Sequence, residues 1–514
     1  MLVKILCSTL SGIDARLITV EVNIVSGLSF SIVGLPDNTV KESQQRIIAA
    51  FQNNKLSMPG ARITINLSPA DIRKEGSHYD LPIAIGILAA SNQLPIYELQ
   101  NYIILGELSL DGTIQPIKGA LPIAIEARHN GIKGIILPKQ NAEEAAIVDS
   151  LKVFGAENIL DVIEILKGNP PFEPSVFNTR ENYYEKLGQF DIDFNDVKGQ
   201  PMAKRVMEIA AAGGHNILMI GPPGSGKSML AKRMPTILPP MTLTEALEST
   251  KIHSVAGKIG TIQGLLTSRP FRSPHHITSD VAIVGGGTNP QPGEISLSHN
   301  GVLFLDEMPE FNRRTLEVLR QPLEERRITI ARSRYTVEYP ANFMLIAAMN
   351  PCPCGNLSHP TKECTCSPAM VNRYLGKMSS PLLDRIDMHV EVAPVDIEAM
   401  ASKRVGETSE TVRERVIAAR EMQNRRYENA IGVHCNAMIT PALVEEYCKL
   451  DEASLVLLKK AMHNLGLSAR AYDRIIKVAR TIADLDGLEN IDERHIAEAV
   501  SYRSLDTTKW TVYY

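Results

Sequence analysis

Residues 221–228 read Gly221-Pro222-Pro223-Gly224-Ser225-Gly226-Lys227-Ser228, a glycine-rich turn closed by a lysine and a hydroxyl. Glycines let successive backbone N–H groups converge on one point, and a helix that starts directly afterwards aims its positive end there, so the segment suits a chain of phosphates. In this pattern Lys227 reaches the β and γ phosphates and Ser228 offers its hydroxyl to Mg²⁺. The apolar run 216–220 before the turn and the helical period after it supply the strand-to-helix setting the motif needs. A second apolar strand, Gly301-Val302-Leu303-Phe304-Leu305, ends in Asp306-Glu307. Beside a phosphate loop two such carboxylates divide the work, Asp306 holding Mg²⁺ and Glu307 polarising the attacking water. A third run, 342–348, leads to Met349-Asn350, whose amide is placed to bond the water or the γ-phosphate. These groups predict ATP hydrolysis with Mg²⁺.

Just beyond Asn350 stand Cys352-Pro353-Cys354-Gly355 and Cys364-Thr365-Cys366, four of the seven cysteines in the chain. Four soft thiolates on one loop suit a closed tetrahedral Zn²⁺ site that would tie down a segment with little core. Each pair has a single residue between its cysteines, tighter than the usual structural zinc spacing, so free or redox-active thiols and His359 as a substitute ligand stay open. Cys7, Cys435 and Cys448 read as buried apolar residues. Between 312 and 334 seven arginines face three glutamates. A solvated helix face accounts for Arg313, Arg314 and Arg320, whereas Arg326, Arg327, Arg332 and Arg334 lie on and around an apparent hairpin, 327–338, where they can grip phosphates without reading sequence. Solubility and pairing between subunits are the competing uses of the same arginines. Arg269 and Arg272 with His275 and His276 form a second candidate patch.

The elements that must hold these groups follow from periodicity. Runs 16–24, 29–33 and 62–67 are strand-like, and 39–51, 80–91 and 119–128 repeat at helical period, which predicts an α/β domain over 1–167. Pro170, Pro171 and Pro174 stop both helix and sheet, so 168–190 is read as a linker. From 191 the pattern restarts with a helix over 200–213, the strand, the glycine turn and another helix, a βα unit opening a second α/β domain over 191–395. Segments 410–427, 441–448, 453–465, 469–485 and 492–502 then show only helical spacing, predicting an all-helical lid over 396–514. A length of 514 residues with 44% hydrophobic and 22% charged content fits about three globular domains and excludes a disordered or collagen-like chain. No run of 18 apolar residues and no leader pattern occurs, which points to a cytoplasmic protein without a membrane partner. The net charge of −4 is uneven: the first 167 residues carry 14 basic and 17 acidic side chains, and those after 195 carry 38 and 36. A polyanion is expected to meet the second half.

The paired carboxylates, Asn350, Ser380-Pro381-Leu382-Leu383-Asp384-Arg385-Ile386-Asp387 and Leu467-Ser468-Ala469-Arg470 together resemble the AAA+ ATPases of the magnesium chelatase clade. Arg269-Pro270-Phe271-Arg272-Ser273-Pro274-His275-His276 and Gly293-Glu294-Ile295-Ser296-Leu297-Ser298-His299-Asn300-Gly301 resemble its YifB/ComM group, over essentially the whole chain. The resemblance implies a P-loop AAA+ core with a helical lid, Arg385 as a finger reaching a neighbouring subunit's γ-phosphate, and Arg470 as a lid sensor. It also implies a homo-oligomer, a hexameric ring, acting on single-stranded or branched DNA as a branch-migration helicase in recombination or natural transformation. A salt bridge with Asp384 or Asp387 is the plainer role for Arg385, and helical neighbours Asp473 and Arg474 give the plainer setting for Arg470. Lys74-Glu75-Gly76-Ser77-His78-Tyr79-Asp80 and 106–138 resemble the proteolytic domain of Lon, an S5 domain 2-like α/β fold. His78 and Leu121 fall where that family has its serine and lysine, leaving only a shifted Ser77–Lys118 dyad for proteolysis. A chelatase-type ATPase that remodels a protein partner is the alternative to a DNA motor.

Overall fold

The computed structural model describes residues 1–503 apart from 177, 260–263, 288–289, 333–334, 358, 360 and 395–405. The chain divides into two compact units, one of 1–186, 243–267 and 333–337, the other of 187–242, 268–332 and 338–514.

The first unit is built on a seven-stranded mixed sheet of β1 (Leu2–Ser11), β2 (Asp14–Val25), β3 (Ser29–Val33), β4 (Arg62–Ser68), β5 (Tyr102–Ile104), β6 (Gly134–Pro138) and β7 (Lys152–Ala156). Their order is β3-β4-β2-β1-β5-β6-β7. β1 and β2 pair antiparallel along their length, from Leu2 with Asn23 to Ser11 with Asp14. The helix α1 (Asp80–Ala90) is apolar on every face, and all eleven of its residues are buried, as a helix of that pattern must be. Its one charge, Asp80, is met by Arg46, with Nε–Oδ2 at 2.6 Å and Nη2–Oδ1 at 2.9 Å. Next come α2 (Ala120–His129) and, from far along the chain, α3 (Leu243–Val255), which joins this unit. Lys251 on α3 pairs with Asp14 at 2.6 Å, and Ser254 bonds Glu144. The spatial grouping thus draws 243–267, a stretch within 191–395, in with the first unit. The expected linker carries the short helix Thr179–Lys186, and the border at 395 lies outside the described residues.

The second unit holds a five-stranded parallel sheet of β8 (Ile217–Ile220), β9 (Phe271–Arg272), β10 (Val302–Leu305), β11 (Met344–Met349) and β12 (Met388–Glu391), in the order β9-β10-β11-β8-β12. β8, β10 and β11 are buried at every residue, which is why they read as unbroken apolar runs. The helices α4 (Pro201–Gly213) and α5 (Lys227–Ile237) sit within the core. They are followed by α6 (Ser409–Arg426), α7 (Glu452–Leu465), α8 (Ala469–Leu485) and α9 (Glu493–Ser501), the all-helical C-terminal part. Met219, Phe304 and Ile346 of the sheet share one apolar cluster with Val416, Ile475 and Ile496 of those helices, so sheet and lid have a continuous core. Among the described residues no helix is long and apolar enough to cross a membrane.

A buried polar knot joins α8 to the sheet. Asp387, 1% exposed, accepts the Asn216 N–H at 2.8 Å and Arg474 Nη1 at 2.5 Å. His215 bonds Thr481 Oγ1 at 2.8 Å through Nε2 and turns Nδ1 toward Asp387, 3.8 Å away. Burial pushes the His215 imidazole below its ordinary value, helped by Arg474 and Lys477 and opposed by Asp387. His389 is lowered too, by burial and by Arg503. A histidine whose folded pKa lies below its unfolded value near 6.5 leaves stability intact above that pH and takes it away as the pH falls, because the unfolded chain then binds the extra proton. Urea midpoints measured between pH 7.5 and pH 5 should accordingly fall below about pH 6.5, and a flat profile across that window would contradict this reading.

Candidate active site

The phosphate-loop segment leaves β8 and enters α5 as the spacing requires. Gly221 has no room for a Cβ against the Val392 carbonyl, and Gly224 and Gly226 lie at φ +79° and +95°, conformations that side chains resist. Lys227, the first residue of α5, is 8% exposed; its Nζ donates to the carbonyls of Gly221 at 2.6 Å and Pro222 at 2.9 Å and lies 3.3 Å from Asn350 Oδ1. Burial lowers its pKa, and Asp306 and Glu307 resist that shift. Ser228 Oγ donates to Asp306 Oδ2 at 2.7 Å, so the two oxygen donors suited to Mg²⁺ are already side by side. Pairing of β10 with β11 and of β11 with β8 brings Asp306 and Asn350 to the end of the sheet from which the phosphate loop leaves.

Glu307 stands at φ +52°, an uncommon position for a non-glycine residue. Its Oε2 is 3.4 Å from His276 Nδ1, and the His276 ring meets Phe311 edge-on, with centroids 6.4 Å apart. His276 thus faces the Glu307 carboxylate. Two arginines of the second candidate patch have partners within the chain: Arg272 grips Glu294 at 2.5 and 2.8 Å, and Arg269 bonds the carbonyls of Pro239 and Asn300, each at 2.7 Å.

The four loop cysteines converge. Cys352 Sγ lies 3.4 Å from Cys354 and 3.6 Å from Cys364, Cys354 lies 3.6 Å from Cys364, and with Cys366 all four sulfurs fall within 4.8 Å of one another. Zn–S bonds of about 2.3 Å in a tetrahedron put sulfurs about 3.8 Å apart, close to this spacing. Backbone N–H groups of Asn356 and Thr365 hold the Cys354 thiol down to about 6, while burial raises Cys352. His359 is no ligand here, because its Nδ1 accepts the N–H groups of Thr361 and Lys362 at 3.2 Å. The knuckle also touches the phosphate loop: a Cβ on Gly355 would come within 2.5 Å of Pro223 Cδ.

Arg385 does not pair with Asp384 or Asp387. Its side chain is 7% exposed, bonds the Pro381 carbonyl and forms an ion pair with Glu324. Arg470 is 61% exposed and reaches Asp384 at 3.4 Å, while its neighbour Arg474 takes Asp387. The hairpin forms from Arg327–Arg332 and Tyr335–Pro340. The Arg326 guanidinium donates to the Phe343 carbonyl at 3.1 Å. Arg327 is 55% exposed, with Glu325 and Glu338 at 3.5 and 3.4 Å; Arg332 ends the first strand, and Arg334 lies outside the described residues.

The family model of magnesium chelatase, subunit ChlI matches 193–400, that of subunit ChlI of Mg-chelatase matches 20–141, and that of the ChlI C-terminal part matches 406–503. Competence protein ComM of Haemophilus influenzae is 44% identical over 501 residues, covering 96% of both chains. The chain belongs to the magnesium chelatase-like AAA+ family, with ComM and YifB. The uncharacterized protein YifB of Escherichia coli is 45% identical over 499 residues, again 96% of both chains. Lon protease 2 of Bacillus subtilis matches 145 residues at 27% identity, 28% of this chain and 25% of that one. As a member of this family the chain is a chelatase-type ATPase, with ATP and Mg²⁺ as cofactors.

Two contributors to the site carry no local signal in sequence. Gln200, at φ +59°, donates through Nε2 to the Ser225 carbonyl at 3.2 Å and so braces the phosphate loop from the start of α4. Glu324 looks like one charge among many on a basic segment, and only folding sets it against Arg385.

Proposed function

We propose that this protein is an ATP-driven homo-oligomeric ring motor, hexameric by family likeness, that works on single-stranded or branched DNA as a branch-migration helicase. The observation that carries the ATP-driven part is the convergence of Lys227, Ser228, Asp306 and Asn350 at one end of the parallel sheet. Lys227 would neutralise the β and γ phosphates, Ser228 and Asp306 would hold Mg²⁺, and Glu307 would orient water. Arg470 and Arg385 would supply charge as lid sensor and as finger from the neighbouring protomer. The DNA part is supported by the full-length likeness to a competence protein and by the exposed Arg327 at the base of the hairpin. Binding of labelled single-stranded DNA, followed by anisotropy against salt, should weaken in Arg327→Ala, with a salt slope smaller by about one. Equal affinity and slope would remove Arg327 from the interface.

The four-cysteine knuckle is proposed to hold one structural Zn²⁺, which would fix the loop between Asn350 and the following helix Pro368–Leu375. Zinc supplies a closed tetrahedral crosslink there, and the four thiols, Gly355 and Pro223 do the positioning. Metal analysis of the purified chain should find about one zinc per protomer and far less in Cys352→Ser, with a lower thermal midpoint for the variant. Absence of zinc from freshly purified protein would leave the thiols as free groups.

Likeness of all three parts to chelatase subunits favours a second reading, a ring that remodels a protein partner. Proteolysis has no comparable support. Ser77 Oγ is engaged by Glu107, and no hydrogen bond joins it to Lys118 among the described residues.

A further inference from the structure

Arg385 is 6% exposed, and its backbone is fixed. Asn216 Nδ2 donates to its carbonyl at 3.1 Å, and the Asn216 N–H is held in turn by Asp387 at 2.8 Å. Only the side chain is free to change direction. That side chain is folded inward onto the Pro381 carbonyl and Glu324, and its Nε, buried, has no hydrogen-bond partner. A guanidinium in this pose cannot meet a phosphate outside its own protomer.

Glu324 is unlike the rest of the pocket. It is 52% exposed and sits at the end of the short helix Arg320–Glu325. That helix stops at Arg326, which stands at φ +56° with its carbonyl bonded to Ala341 N at 2.8 Å and its side chain on Phe343. The first hairpin strand begins at the next residue, Arg327. Only Glu325 and the clamped Arg326 separate Glu324 from that strand, so displacement of the hairpin would act on Glu324. Water can solvate the released carboxylate, whereas the buried guanidinium needs another anion, which a neighbour's phosphate supplies.

We propose that Glu324 is a positioning residue that holds Arg385 inside its own protomer, so that the finger is delivered only when the hairpin-bearing helix lets go. The proposal rests on the reading of Arg385 as the finger. It is tested by ATP turnover of the full-length chain under conditions where the ring is assembled, comparing wild type, E324Q, E324D, R385A and E324Q/R385A. Removing the restraint shifts the population toward the free finger, so E324Q should raise kcat about threefold or more without changing KM for ATP. E324D, whose shorter carboxylate draws back from Arg385, should move in the same direction, and R385A should abolish the gain in the double variant. Turnover in E324Q and E324D at or below wild type, with R385A inactive, would overturn the restraint and leave the finger standing. Turnover in R385A equal to wild type would overturn the finger and the restraint with it.

Discussion

Lys227→Ala should lower ATP turnover by about two to three orders of magnitude, the loss typical of removing one preorganised charge from a transition state. The lysine is almost fully enclosed, with Nζ within 2.6–3.3 Å of the loop carbonyls and Asn350. Burial already lowers its pKa, and phosphate charge would restore the preference for the ammonium. Nucleotide affinity should fall with turnover, because the same ammonium meets ground-state phosphates and the transferring group. The alanine leaves helix propensity at this first position of α5 intact, so the thermal midpoint should change little. Turnover within tenfold of wild type would mean that hydrolysis occurs elsewhere.

Asp387→Ala should cost the second unit about 3–5 kcal/mol, as expected when one partner of a buried ion pair is removed and the other is left behind. Arg474 would lose its 2.5 Å partner, the Asn216 N–H would lose its acceptor, and the His215 imidazole would lose a compensating charge. Equilibrium urea unfolding measures this directly, and a cost under about 1 kcal/mol would show that water replaces the carboxylate. Burial works against ionisation of Asp387, yet Arg474, His215 and the Asn216 N–H outweigh it and hold its carboxyl far below the usual range. A depressed carboxylate stabilises fully above its unfolded value near 3.9 and loses that contribution only as pH falls through the folded one. The loss of stability expected between pH 6.5 and 5 therefore belongs to the buried histidines, and Asp387→Ala should leave it largely in place.

Much of this was legible because strong local signals agreed with the fold. The phosphate loop, the apolar strand before Asp306 and the helices at 409–426 and 469–485 each carry their period and their caps within a few residues. β1 escaped notice: Leu2–Ser11 buries Cys7, Ser8 and Thr9 in succession, so it shows neither clean alternation nor an unbroken apolar run. The interleaving of α3 into the first unit is invisible to any linear division, since nothing in Leu243–Val255 records which sheet it will meet. At the site, residue types told what chemistry was present but not which partners met. Arginines 269, 272 and 326 read alike in sequence, and only folding shows that their guanidinium groups bond Pro239, Glu294 and Phe343. The tight spacing within each cysteine pair weakens the zinc reading that four thiols on one loop favour, and the convergence of the four sulfurs is compatible with it.

Steady-state ATP turnover with and without single-stranded and branched DNA tests the proposed motor most directly, with Lys227→Ala as the blank and Arg327→Ala as the interface variant. A DNA motor predicts a several-fold stimulation that is lost in Arg327→Ala while unstimulated turnover is retained. Turnover unchanged by either DNA in an assembled ring would contradict it and point to a protein partner.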